Sequence, residues 1–247
     1  MRRKRYPIKA VIPYLVQPAK GFRYSTDAVF LAAFSAYTYA AFWADLGSGC
    51  GILAYRLANT WPLSHGIAIE RDTDIFCYAK RNLNQLPVSL IKGDLRFFPW
   101  NENVLDLVVC NPPFFDPIAS RPSPNLAKRI ARHSFAGDMV SFGEAVYQAL
   151  KIDGRLCFVF PVDLVQPKVG ALEQAGFSIR RKLYLKSFLD LDPHRVCIEM
   201  VKTKTLPEIN ELTIFESPGN YTEEAWEFLM GPQNWLEFLK NKNRSEA

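Results

Sequence analysis

A chain of 247 residues, with 49% hydrophobic and 22% charged side chains, has the makeup of one large globular domain that can bury a core without staples. Its net charge of +5 is too small to demand a polyanionic partner, although the basic residues cluster. The five cysteines, Cys50, Cys77, Cys110, Cys157 and Cys197, are odd in number and form no C-x-x-C pair, which argues against a disulfide framework or a zinc site and for buried, inert thiols in a reducing cytoplasm.

The chain opens on Arg2, Arg3, Lys4 and Arg5, but the apolar stretch that follows, "AVIPYLV", is short and broken by Pro13, so no secretory signal is expected. Residues 28–44 carry no charge, close to the lower limit for a membrane span. Ser35, Tyr37, Thr38 and Tyr39 interrupt the stretch, and it runs into Asp45. It reads instead as a buried helix followed by a buried strand. Ser25 or Thr26 can cap that helix, with Asp27 in its first turn and an end near residue 39.

"FWADLG" is the first strand, residues 51–59 a helix, and "HGIAIE" the second strand. Residues 72–86 form a helix capped by Asp72, followed by strands "VSLIKGD" and "VLDLVVC". A long loop over residues 114–137, with a helical turn near 126–132, leads to a helix capped by Asp138. "GRLCFVF" is the fifth strand, residues 163–175 a helix, and "RKLYLKSF" with "RVCIEMVK" an antiparallel pair, since no helix separates them. A short helix capped by Thr222 follows. Five strands alternating with helices predict an α/β fold: a mostly parallel sheet wound on both faces, seven strands with the closing pair, in the order 3-2-1-4-5-7-6. The expected organisation is a single domain, 1–247, with a helical lead-in at 1–40, a core at 41–202 and a C-terminal extension at 203–247.

"ADLGSGCGIL" sets Gly47, Gly49 and Gly51 between the first strand and its helix, where glycine permits positive φ and close approach to a ligand. The dinucleotide pattern G-x-G-x-x-G fails at Ile52, and no Walker lysine follows. Glu70 ends the second strand, where a carboxylate can accept both hydroxyls of a ribose. Asp94 ends the third and suits the amino edge of an adenine, while Asp45 could meet an ammonium group. A nucleoside carrying an amino-acid tail and a sulfonium, S-adenosylmethionine, fits this set, and no metal is called for.

"VVCNPPFF" ends the fourth strand on a rigid turn. In the predicted order this turn and the glycine loop are neighbours, where open parallel sheets bind ligands. Asn111 offers a side-chain carbonyl, Pro112 a backbone carbonyl, and Phe114 a face on which a base stacks, with Phe115 as rival for that role. Two acceptors aimed at a conjugated amine pull its lone pair out of conjugation and make it a nucleophile.

These residues resemble the amino-directed class of S-adenosylmethionine-dependent methyltransferases, whose hallmark is [Asn/Asp/Ser]-Pro-Pro-[Tyr/Phe/Trp]. Within it, "QPAKGFRYSTDAVFLAAF", "ADLGSGCGIL", "VVCNPPFFDP", "RIARHS" and "LTIFESPGNYTEEAWEFL" resemble the bacterial tRNA adenine-N6 methyltransferases, which modify the adenine 3′ of the anticodon in a valine tRNA. The resemblance spans residues 14–230 and implies a Rossmann-like class I methyltransferase fold. It also implies base flipping, direct methyl transfer to the exocyclic amine, a tRNA(Val) partner and a cytoplasmic monomer with no membrane attachment. By position it assigns Asn111, Pro112 and Phe114 to the target adenine, and Asp45, Gly47, Gly49, Gly51, Glu70 and Asp94 to the cofactor. Thr26 and Asp27 would approach the cofactor's amino-acid end. Lys128, Arg129 and Arg132 lie in the loop after the turn and would grip phosphates. Arg180, Arg181, Lys182 and Lys186 form a further basic cluster suited to phosphates or simply to solubility. The alternatives are a methyltransferase acting on a release-factor glutamine or on guanine N2 of ribosomal RNA, a non-catalytic cofactor- or RNA-binding module, and a nicotinamide oxidoreductase.

Overall fold

The computed structural model describes residues 15–19, 23–94, 101–111 and 139–231. In chain order these form α1 (Thr26–Ser35), β1 (Phe42–Leu46), α2 (Ile52–Thr60), β2 (His65–Glu70), α3 (Thr73–Asn82), β3 (Val88–Lys92) and β4 (Leu105–Cys110). They continue with α4 (Met139–Ala149), β5 (Leu150–Pro161), α5 (Val162–Gln174), β6 (Ser178–Lys186), β7 (Arg195–Val201) and β8 (Glu208–Thr213). The short strands β9 (Phe215–Ser217) and β10 (Asn220–Tyr221) and the helix α6 (Glu223–Met230) close the described chain.

The main sheet runs β3-β2-β1-β4-β5-β7-β6-β8, with eight strands rather than seven. β7 is antiparallel to β5 and β6, and every other pairing is parallel. The order expected for the first seven strands is therefore found, and the segment past residue 203 supplies an eighth. β8 was missed because only Leu212 of its six residues is buried, so it carries no alternation to read.

Both faces of the sheet are covered, which is why its strands read as near-continuous apolar runs. Trp43, Leu107, Val109, Cys157 and Val159 face α1, α2 and α6. Ala44, Leu46, Val108, Cys110, Leu156 and Phe158 face α4 and α5. α1 is buried from Ala28 to Ser35, so it packs on all sides, with Phe30 stacked on Phe228 of α6 at 6.0 Å. No helix among the described residues is long and apolar enough to cross a membrane.

Several local expectations change. α1 ends at Ser35 instead of near residue 39, because the carbonyls of Phe34, Ser35 and Thr38 accept from the guanidinium groups of Arg181 and Arg155. Ser25 is its N-cap residue but makes no side-chain cap hydrogen bond. Asp72 does cap α3, accepting from the N–H groups of Asp74 and Ile75 at 2.9 and 3.0 Å. That helix stops at Asn82, just before Gln85 takes a positive φ of 68°. Cys77, expected to be buried, is exposed on α3, whereas the other four thiols are buried. Arg181 is not part of a phosphate-facing patch: it is 9% exposed and pairs with the buried Glu199 at 2.7 Å.

Candidate active site

Leu46 of β1 pairs with Cys110 of β4 and with Ile69 of β2. The first residues beyond β1 and β4 are Gly47 and Asn111. They leave the sheet from paired positions on adjacent strands, which lie about 4.8 Å apart. The glycine loop and Asn111, the first residue of the Asn-Pro-Pro-Phe sequence, thus leave the sheet side by side, where the strand order reverses.

The loop is shaped by its backbone. Gly47, Gly49 and Gly51 have φ of 74°, 59° and 87°, a left-handed region that costs other residues about 1–2 kcal/mol each. A Cβ at Gly47 or Gly49 would meet nothing within 4 Å, so these two face open space, whereas at Gly51 it would press on Leu83 at 3.0 Å. The N–H groups of Gly47 and Ser48 both donate to the Ile69 carbonyl, at 3.0 and 2.9 Å. Glu70 fixes the next step: its Oε2 accepts from Gly49 N at 2.9 Å and its Oε1 from Asp72 N at 2.7 Å. Burial pushes the Glu70 carboxyl above its ordinary range, although these backbone donors pull it back. The Arg71 N–H also donates to this carboxylate, which keeps lone-pair capacity for a ligand hydroxyl.

Asp45 lies beneath the loop and is completely buried. Its Oδ2 accepts from Ala54 N at 3.1 Å, and its Oδ1 has no partner among the described residues. Burial pushes its carboxyl up to about 7; the Ala54 N–H opposes this and the neighbouring Glu70 adds to it. Asp94 follows β3 and pairs with Arg71 at 3.3 Å. Asp27, in the first turn of α1, accepts from Arg195 Nε at 2.9 Å. Because β7 is antiparallel, Arg195 stands opposite Pro161, at the same rim as the ends of the parallel strands. Thr26 and Asp27 are thereby held at the rim, with Asp27 engaged by a cation that the sequence reading did not anticipate. Pro112, Phe114, Phe115, Lys128, Arg129 and Arg132 lie outside the described residues.

The described side-chain atoms that are buried without a hydrogen-bond partner include Gln17 Oε1, Asp45 Oδ1, Ser48 Oγ and Asn111 Oδ1. Folded chains leave few such atoms unless a ligand or water completes them. Asp45 and Ser48 belong to the glycine loop, and Asn111 adjoins it. A nucleoside cofactor rich in N–H and O–H donors fits these acceptors and the open space beside Gly47 and Gly49. Ser48 and Gln17 stand inside stretches that the sequence reading singled out but received no role there, since a lone hydroxyl or amide names no chemistry. No group of three or more potential metal-ligating side chains is found among the described residues.

Comparison with known proteins agrees with this geometry. Residues 26–174 match the model of the methyltransferase small domain. A tRNA1(Val) (adenine(37)-N6)-methyltransferase of Tolumonas auensis is 26% identical over 216 residues, covering 85% of this chain and 90% of the relative. One of Shewanella putrefaciens with the same name is 29% identical over 217 residues, covering 82% and 88%. Among solved structures, a protein of Agrobacterium tumefaciens described as a predicted O-methyltransferase superposes with a TM-score of 0.64 at 16% identity, over 83% of this chain and 96% of its own. The precorrin-6y C5,15-methyltransferase of Geobacter metallireducens gives 0.51 at 16% identity, over 76% and 93%. Those two likenesses concern the fold alone. The family match covers more than half of the sequence and includes the glycine loop, both acids at the strand ends and the Asn-Pro-Pro-Phe sequence: the chain belongs to the methyltransferase small domain family.

Proposed function

We propose that the protein methylates the exocyclic N6 of an adenine in tRNA, the adenine 3′ of the anticodon of a valine tRNA, using S-adenosylmethionine, and that it does so as a cytoplasmic monomer. The observation that carries this reading is the buried Asn111 carbonyl, which has no hydrogen-bond partner among the described residues and stands at the end of β4 beside the glycine loop. Curated relatives at 26–29% identity bear the corresponding name, over most of both chains.

Asp45, Gly47, Gly49, Gly51, Glu70 and Asp94 would hold the cofactor, with Thr26 and Asp27 at its amino-acid end. When bound, it supplies a methyl on a sulfonium whose departure as a neutral thioether needs no acid. The protein's contribution is therefore alignment, which can supply on the order of 7–11 kcal/mol. Asn111 Oδ1 and the Pro112 carbonyl accept from the two amine hydrogens and hold the nitrogen lone pair toward the methyl. Phe114 stacks on the base, which must first leave its own stack at a cost of a few kcal/mol. One of the two amine protons passes to solvent once the new N–C bond has formed, and the other stays on the methylated nitrogen.

The test is to incubate the protein with methyl-labelled S-adenosylmethionine and unmodified tRNA, then digest and separate the nucleosides. Label in N6-methyladenosine, absent with Asn111→Ala, is the expected result. Label in N2-methylguanosine or in a release-factor peptide would replace the adenine with another planar amine. Cofactor binding with no transfer to any acceptor would leave only a binding module.

A further inference from the structure

Residues 15–19 lie far in sequence from the glycine loop, yet one side chain joins the two. The amide of Asn82, the last residue of α3, makes three hydrogen bonds. Its Oδ1 accepts from Val16 N at 2.8 Å, and its Nδ2 donates to Val16 O at 2.8 Å and to Cys50 O at 2.8 Å. The first two grip Val16 as a neighbouring β-strand would; the third fixes the carbonyl just ahead of Gly51. The N-terminal segment, the end of α3 and the glycine loop thus converge on one amide. Further along, the backbone N–H of Tyr24 reaches the Cys50 thiol, so the segment meets the loop a second time before α1 begins.

This fastening fixes the orientation of the segment. Leu15 is buried in the core, Val16 is exposed, and Gln17 is half-buried. Gln17 Oε1 is fully buried and has no hydrogen-bond partner among the described residues. Burying a carbonyl without a donor is unfavourable, and here the segment is held in place by two hydrogen bonds between Asn82 and Val16, with that carbonyl unmet among the described residues. The orphan atoms of Asp45 and Ser48 belong to the loop to which the segment is tied.

We propose that Gln17 is a cofactor-contacting residue, its side-chain carbonyl accepting from an N–H or O–H of S-adenosylmethionine, and that Asn82 is the positioning residue that holds it there. The proposal rests on the S-adenosylmethionine reading of the site. It makes the N-terminal segment a third wall of that site, beside the glycine loop and the acids at the strand ends.

The experiment is a calorimetric titration with S-adenosylhomocysteine of the full chain and of Gln17→Leu, Gln17→Glu, Asn82→Ala and the Gln17→Leu/Asn82→Ala double variant. Each is also melted without ligand. Gln17→Leu is expected to raise Kd about tenfold, the worth of one hydrogen bond, with an unliganded melting temperature no lower than the parent's. Gln17→Glu keeps a carbonyl acceptor in either protonation state and stays within about threefold of the parent. Asn82→Ala weakens binding at least as much and speeds amide exchange at Val16. The two effects are not additive, because both act through one contact. Parental affinity in Gln17→Leu, or strict additivity in the double variant, overturns the proposal and leaves the methyltransferase reading intact. Failure of the parent protein itself to bind S-adenosylhomocysteine overturns both.

Discussion

Asp45 and Glu199 are both completely buried carboxylates, and the fold treats them in opposite ways. Glu199, on β7, accepts from Arg180 and Arg181, faces Arg155 at 3.4 Å and takes the Cys157 thiol at 3.7 Å. Burial alone would push its carboxyl up, but the hydrogen bond and charge of Arg181, with Arg155 and Arg180, override that and hold it at about 2. The same guanidinium groups close the C-terminal end of α1, where Arg181 lies over the rings of Phe34 and Tyr37 at 4.5 and 4.2 Å. Asp45, under the glycine loop, has one backbone donor, a carboxyl raised to about 7 and one oxygen with no described partner. The contrast separates two uses of buried polarity. Where every charge is answered from within, the group ties elements together; at the strand ends an acceptor is left open among the described residues, as the proposed cofactor site requires.

The largest effect should come from breaking the answered cluster. Glu199→Ala leaves Arg155 and Arg181 buried with their partner gone, and is expected to cost about 3–5 kcal/mol in urea unfolding. The folded fraction should bind S-adenosylhomocysteine as the parent does. A neutral Glu199→Ala, or one that loses the ligand while keeping stability, would remove the contrast. Next comes Asn111→Ala at the open end, expected to lower kcat for adenine methylation by about 100- to 1,000-fold, as for other aligned polar groups that act in the transition state. Its unfolding free energy should stay within about 0.5 kcal/mol of the parent's, since no described interaction of the Asn111 carbonyl is lost.

The same contrast explains what the sequence reveals. The glycine loop, the acids at the strand ends and the Asn-Pro-Pro-Phe sequence are local patterns that can be found in order along the chain, and the strand pairing brings the loop beside Asn111. The sheet order follows because alternating strands and helices leave few topologies. The Arg155–Arg181–Glu199 cluster is different: it joins three strands, and only their pairing registers bring its members together. Read linearly, Arg180 and Arg181 are two basic residues among others; on β6, alternation turns Arg181 inward with Leu183 and Leu185. Gln17 and Asn82 are invisible for a related reason: a lone amide names no chemistry, even within a quoted stretch such as "QPAKGFRYSTDAVFLAAF", and their meeting depends on where α3 ends. β8 fails on a second ground: an edge strand with a single buried side chain has no periodicity.

The smallest effect on function, and the most specific, concerns the proton on Asp45. Its folded carboxyl titrates at about 7, against an ordinary value of 3.8, so between these the folded state keeps a proton that the unfolded state has released. Stability of the unliganded protein should therefore fall as pH rises from about 4 to about 7 and level off above, with Asp45 as one contributor. Asp45→Asn removes that contribution and should be more stable than the parent by up to about 4 kcal/mol near pH 8, with little difference near pH 4. Ligand binding should run the other way. If the ammonium of the cofactor is the donor that Oδ1 lacks, the carboxylate must be ionised, and parent affinity for S-adenosylhomocysteine should rise with pH through about 7 with proton release below it. Asp45→Asn should bind about tenfold more weakly near pH 8 and show no such rise. Paired melts and titrations from about pH 5.5 to about 8 separate the outcomes. An affinity flat in pH, unchanged by Asp45→Asn, would mean that the open oxygen faces no cation and that Asp45 shapes the loop through Ala54 alone.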